Sequence, residues 1–283
     1  MSKRLEIESQ LAAFGEIADI MRAMRNLALM ETHKVGAARV AQQRMAQTVE
    51  AAAVDFLSFY RQDGGDGNPS RAVYLVVGSE RGFCGDFNEA LVDRLRIACP
   101  PGHAADLVAV GFRLGSRLDD DRRVVARLAG PSVMEDVGGV LADVMEVLDR
   151  LARGLPSMGS LNLTVMHHAD DGAVRAFMPM PFRQLPRANV PPAGPPMLTL
   201  SPAACLTGLM EHYLLASLYD VFYASLMAEN LQRLRHMDNA IRNIEEQSAA
   251  LALRRNSLRQ EEITEEIEVI MLGRKPQRTG PER

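Results

Sequence analysis

Residues 72–88 read Ala72-Val-Tyr-Leu-Val-Val77 and then Gly78-Ser-Glu-Arg-Gly-Phe-Cys-Gly-Asp-Phe-Asn88. The first six residues are apolar and partly β-branched, the composition of a buried strand. Glycines at 78, 82 and 85 then mark a turn, and a helical pattern takes over from about residue 86 to 97. Strand, Gly-rich turn and helix in that order open an α/β unit. The same alternation continues downstream. Leu107–Val110, Arg123–Ala126, Leu161–Met166 and Ala173–Phe177 are further strand candidates, and about 132–152 is a second helical stretch. The block 71–180 is therefore expected to be an open, Rossmann-like α/β sheet covered by helices.

The flanks are of another kind. Residues 1–60 contain no proline and two glycines, Gly15 and Gly36. Apolar residues recur there at Ile7, Leu11, Phe14, Ile17, Met21, Met24 and Leu27, in steps of three and four. One helix of that length would run about 90 Å, too long for an ordinary globular helix and suited to a coiled coil. Residues 203–272 repeat the pattern at Met227, Leu231, Leu234, Met237, Ile241, Ile244, Ser248 and Leu251, then Leu258, Ile263, Ile267 and Ile270. Two amphipathic helices leaving one domain bury their stripes by pairing antiparallel. Between them, 63–70 is a Gly/Asp/Pro loop and 181–202 a connector whose prolines exclude helix. The end, 273–283, is a polar tail.

Composition narrows the function. Hydrophobic residues make up 47% and charged residues 24%, enough to build a core. The net charge of -4 argues against a general nucleic-acid binder. Three scattered cysteines, Cys84, Cys99 and Cys205, form no disulfide framework or zinc pattern and fit a reducing cytoplasm. No apolar run reaches the roughly 18–20 residues of a membrane span, so membrane association is expected only through a partner.

Few residues suggest chemistry. The turn at 78–85 matches neither a dinucleotide fingerprint nor a phosphate-binding loop with its lysine. Cys84 near a helix start is a candidate nucleophile if its thiol pKa is lowered, but no base is identifiable beside it. A structural turn with Asp86 capping the helix is the favoured reading. His167 and His168 fall on opposite faces of a strand and cannot readily share a metal, and solvent and edge positions are expected for them. Asp119-Asp-Asp121 reads as a loop. Glu229, Arg233 and Met237 share a helical face, as a solvated stripe would.

Three segments carry a family resemblance. Asp19-Ile-Met-Arg-Ala-Met-Arg-Asn-Leu-Ala28 resembles the K-I-T-K-A-M-x-M-V-A segment of ATP synthase gamma subunits. Tyr74–Asn88 is similar to the family's strand followed by S-D-R-G-L-C-G-G-L-N, with Arg81, Gly82, Cys84, Gly85 and Asn88 matching. Asn256-Ser-Leu-Arg-Gln-Glu-Glu-Ile-Thr-Glu-Glu-Ile267 is similar to N-x-x-R-Q-x-x-I-T-x-E-L. They stand in family order. Arg22 in place of the family's lysine, Met21 in place of its threonine, Asp238-Asn-Ala-Ile-Arg-Asn243 in place of K-x-A-T-D-N, and a charged end mark a divergent branch, similar to the alternative bacterial N-type ATPases.

The resemblance implies a bacterial rotating central stalk: a long antiparallel coiled coil inside a ring of alpha and beta subunits, with the α/β domain joined to epsilon and the c-ring. It implies no catalytic residue, cofactor or metal on this chain. It places the chain peripherally at the cytoplasmic face of the inner membrane, reached through its partners. Arg22, Met24, Glu229, Arg233, Met237, Gln260, Thr264 and Glu266 would contact the alpha/beta ring. Gly82, Cys84, Gly85 and Asn88 would build a structural turn. Two other readings are kept open by the residues: a thiol enzyme using Cys84, and a coiled-coil adaptor in an unrelated complex.

Overall fold

The computed structural model describes residues 3–60, 71–153, 161–179, 194–195 and 197–273. Most of the proline-rich connector and residues 274–283 of the tail lie outside the described residues. The order of elements is α1 (Lys3–Phe59), β1 (Arg71–Val77), α2 (Phe87–Ala98), β2 (Asp106–Val110), α3 (Phe112–Arg117), β3 (Val124–Leu128), a 3-10 turn (Met134–Asp136), α4 (Val137–Ala152), β4 (Leu161–His168), β5 (Val174–Phe177) and α5 (Pro202–Gly273). The strands form one five-stranded sheet ordered β3-β2-β1-β4-β5. All neighbours run parallel except β5, which turns back antiparallel on β4. Each expected strand is present, and the helix from Phe112 to Arg117 is an addition. Six residues with a glycine inside make too short a run for periodicity to mark.

Contacts divide the chain into two compact units, residues 27–236 and the pair of segments 1–26 and 237–283. In the first unit, strand pleating sends alternate side chains to opposite faces of the sheet. Val73, Leu75 and Val77 of β1 join Val108, Leu163 and Val165 under α4, where Val137, Leu141, Val144 and Leu148 form the covering stripe. Phe222, Leu218 and Leu226 of α5 and Val35 of α1 complete that core. On the other face, Val76, Leu107, Ala109 and Met166 pack against Phe87, Leu91 and Leu95 of α2 and Leu114 of α3. Gly111 joins β2 to α3 at φ 106° and ψ 125°, a region open essentially to glycine. An added Cβ there would lie 2.7 Å from the Ser79 carbonyl oxygen. The α1 and α5 portions of this unit are tied antiparallel. Arg39 of α1 pairs with Asp220 of α5 at 3.2 Å and also with Asp170 in the β4–β5 turn, and Gln42 meets the carbonyl of Ala216.

In the second unit the two terminal helices again run antiparallel. Arg4 meets Glu262, Arg22 meets Glu245 and Arg25 meets Asp238, one sequence rising as the other falls. Their seam differs from the apolar stripe read in the sequence. Ile17 is 41% exposed while its neighbour Ala18 is 4% exposed and faces inward. The less exposed positions Ile7, Leu11, Phe14, Ala18, Met21 and Arg25 keep the alternating four-three step of a heptad seam. Small Ala18 takes the inward position that the apolar spacing gives to Ile17. On α5 the seam runs from Met237 through Ile241, Ile244, Ser248, Leu251, Arg255 and Leu258 to Glu262. The apolar spacing extends the same stripe to Ile263, Ile267 and Ile270, but they are exposed, because α5 runs past the first turn of α1.

Candidate functional site

In an open α/β sheet, ligands enter at the carboxyl ends of strands where the connections diverge to opposite sides. Here that point lies between β1, which continues to β2, and β4 on its other flank. The crevice is filled by the chain itself. Ser225 of α5 donates to the carbonyl of Val77 at 3.4 Å, Ala228 joins the core on the α2 face, and Gln232 donates to Asp86 at 3.2 Å. The helix lies where a nucleotide lies in other sheets of this kind.

The turn after β1 is held from both sides. Asn88 accepts from the Ser79 N–H at 3.0 Å and donates to the Ser79 hydroxyl at 2.8 Å. Glu80 accepts from the N–H groups of Phe112 and Gly130, at 2.9 and 2.7 Å, and so pins the turn to the neighbouring loops. Gly85 sits at φ 61° and so does a non-glycine, Phe83, at φ 62°. From α5, Arg233 donates to the Gly82 carbonyl at 3.3 Å, to Asn230 at 2.8 Å, and to the carboxylate of Glu229. Glu229 and Arg233 are 4% and 5% exposed. Burial pushes the Glu229 carboxyl up, and the Arg233 guanidinium and the Arg81 backbone act against that.

Several expectations change here. Asp86 starts α2 without a side-chain cap bond and is engaged by Gln232 instead. His167 and His168 are 8% and 4% exposed, not solvent or edge positions, because β5 pairs outside β4. They do point to opposite faces. His168 stacks on Phe87 with ring centroids 3.9 Å apart, while His167 borders a cavity with Arg39 and Asp220. Cys84 is buried, with its sulfur 3.2 Å from the Ser79 hydroxyl. Burial pushes its thiol pKa up, which opposes thiolate formation. Asp119 and Asp121 pair with Arg127 and Arg123, and among the described residues no group of three acidic, histidine or cysteine side chains is placed to hold a metal.

The positions carried over as ring contacts fall into two classes. Arg22 and Met24 lie in the terminal-helix unit, Arg22 exposed and bonded to Asp19 and Glu245, Met24 half-buried. Gln260, Thr264 and Glu266 are exposed on the stretch of α5 around and beyond Glu262. Met237 is buried, and Glu229 and Arg233 face the chain's own turn. Sequence reading missed Ser225, Asn230 and Gln232. The signal was present as polar residues breaking into the apolar run of α5 at the point where it meets backbone.

The family model described as ATP synthase matches residues 3–275. The chain belongs to the ATP synthase gamma family. Among curated relatives, the ATP synthase gamma chain of Hyphomonas neptunium is 22% identical over 95% of this chain and 97% of its own length. That of Mycolicibacterium vanbaalenii is 26% identical over 95% and 96%. The fold of this gamma-family chain is also that of solved structures. A chain of the Euglena gracilis mitochondrial ATP synthase superposes with a TM-score of 0.66 at 15% identity, covering 99% of this chain and 98% of that one. A chain of the Tetrahymena thermophila central stalk and c-ring gives 0.56 at 15% identity, covering 78% and 99%.

Proposed function

We propose that this gamma-family chain is the rotating central stalk of a bacterial F1Fo-type ATP synthase, coupling ion flow through a membrane ring to nucleotide turnover in an alpha/beta ring. The observation that carries the reading is α5. One continuous helix of 72 residues pairs antiparallel with α1 in the terminal unit and fills the crevice of the sheet in the central unit. A ligand-binding α/β domain keeps that crevice open. A shaft uses it to grip its own axle.

The alpha and beta subunits, epsilon and the c-ring are the partners of this reading, which the resemblance supports. The similar Euglena chain comes from an assembly described as OSCP, F1 and c-ring. In this reading the subunit itself is non-catalytic; the burial of Cys84 and its raised thiol pKa weigh against a thiol enzyme. It works at the cytoplasmic face of the inner membrane, held peripherally by its partners. Among the described residues no helix is long and apolar enough to cross a membrane.

Ring contacts are assigned to Arg22, Met24, Gln260, Thr264 and Glu266, which are exposed or half-buried. Met237, Glu229 and Arg233 serve the ring indirectly, by fixing α5. Gly82, Cys84, Gly85 and Asn88 build the turn that Arg233 grips. Affinity purification of the tagged chain from its own host tests the assignment. Alpha and beta subunits in roughly three copies each per chain are expected, with ATPase activity lost when the chain is removed. Recovery of the chain alone or as a homodimer overturns it.

A further inference from the structure

His168 ends β4 beneath the β4–β5 turn, and both of its ring nitrogens face carbonyl oxygens. Nδ1 lies 2.9 Å from the Gly172 oxygen and Nε2 lies 2.8 Å from the Phe87 oxygen. A neutral imidazole carries one N–H and satisfies one of these acceptors, leaving a lone pair against the other. An imidazolium donates to both. We propose that His168 is a proton-operated latch: its imidazolium ties the β4–β5 turn to the first turn of α2, and loss of the proton releases one of the two ties.

The surroundings suit a cation. The His168 ring stacks on Phe87, tilted by 25°, so a positive ring would lie over an aromatic face. A cavity of about 100 Å3 borders it. The charged groups lining that cavity are Asp86 at the start of α2, Asp170 in the turn, and Arg235 of α5. Asp86 is engaged by the neutral Gln232, and Asp170 by Arg39 of α1. On the far face of β4, His167 places Nδ1 against the His168 carbonyl at 2.9 Å. Burial pushes His167 down, and its bond to the His168 carbonyl and the nearby Asp220 carboxylate act against that. The latch matters because the same turn is tied on its other side to α1 and α5 through Arg39. The state of His168 decides whether the sheet edge is anchored on one side or on both.

The test uses the full chain with 15N-labelled histidine, assigning His168 by its loss from His168→Phe, between pH 5.5 and 8.5. At the acid end both His168 ring nitrogens are expected to carry protons. As pH rises, one is expected to lose its proton. Exchange of the Gly172 and Ala169 amides, both bonded within the turn and corrected for intrinsic rates, should then speed up about tenfold, the size of one charged hydrogen bond. A lone-pair nitrogen throughout the range overturns the latch. So does a ring doubly protonated throughout, or exchange at Gly172 that does not follow the ring. The ring and exchange measurements on the unsubstituted chain decide the matter even if His168→Phe fails to fold.

Discussion

Arg233 of α5 donates through Nε to the carbonyl oxygen of Gly82, 3.3 Å away and 151 residues earlier in the chain. The same guanidinium reaches Asn230 and Glu229 on its own helix, so one side chain neutralises a buried acid and clamps the turn after β1. A buried pair contributes little against an apolar replacement, but breaking it is expensive.

Replacing only the cation exposes that asymmetry. Arg233→Met leaves Glu229 buried without its counter-charge and is expected to destabilise the central unit by about 3–5 kcal/mol in urea unfolding. The double variant Glu229→Leu/Arg233→Met should lie much nearer the parent. The pH dependence has a fixed sign. Burial already raises the Glu229 carboxyl above its ordinary 4.5, and loss of Arg233 raises it further. The stability of Arg233→Met is therefore fullest below that value and falls as pH rises toward the folded-state pKa. A single variant as stable at pH 8 as at pH 5 contradicts the clamp.

Phe83 makes a prediction of the opposite direction. It holds φ at 62° while 54% of its surface is exposed. A left-handed backbone costs an ordinary L-residue about 1–2 kcal/mol, and asparagine tolerates it better. Because little packing is lost, Phe83→Asn is expected to raise the stability of the isolated chain by about 0.5–1 kcal/mol. Thermal unfolding followed by circular dichroism reads this directly, and a lowered midpoint would show that Phe83 packs more than its exposure indicates.

The coiled-coil seam shows what was and was not legible in the sequence. Three-four spacing marked both long helices, since a sustained period survives local exceptions. It did not say which neighbour of each pair faces inward. Ile17 outranks Ala18 on hydrophobicity, yet Ala18 is the inner residue, because helix approach is limited by volume. Ile17→Gln should therefore cost less than about 0.5 kcal/mol, and Ala18→Ile about 1–3 kcal/mol through overpacking. Equal costs would place the seam where the apolar spacing alone put it.

The sheet was readable for a related reason: buried parallel strands are short apolar runs between turns. The site was harder. Gly82, Cys84, Gly85 and Asn88 announced a turn, but not what presses on it. The grip of Arg233 on Gly82 joins segments that no local pattern connects, and the burial of His167 and His168 follows from a fifth strand returning antiparallel outside them. Family motifs located Glu229 and Arg233 without showing that they face inward.

The three aspartates at 119–121 give the last prediction. Asp121 accepts from the Arg123 backbone and guanidinium at 3.0, 3.0 and 2.7 Å. The guanidinium holds its carboxyl below the ordinary 3.8. The carboxylate is partly solvated, so screening limits its worth to about 0.5–1 kcal/mol. Its folded-state pKa is depressed, so the contribution is present above the ordinary value and lost as pH falls through the folded one. Asp121→Asn should then be less stable than the parent at pH 7, with the difference shrinking as pH falls from the ordinary 3.8 through the folded value. The loss stays small because Arg123 keeps its bonds to the carbonyls of Cys99 and Pro100. Urea midpoints of the two proteins along a pH series downward from 7 measure it, and a difference that does not shrink as pH falls below the ordinary 3.8 would assign the effect to the asparagine backbone and not to the ion pair.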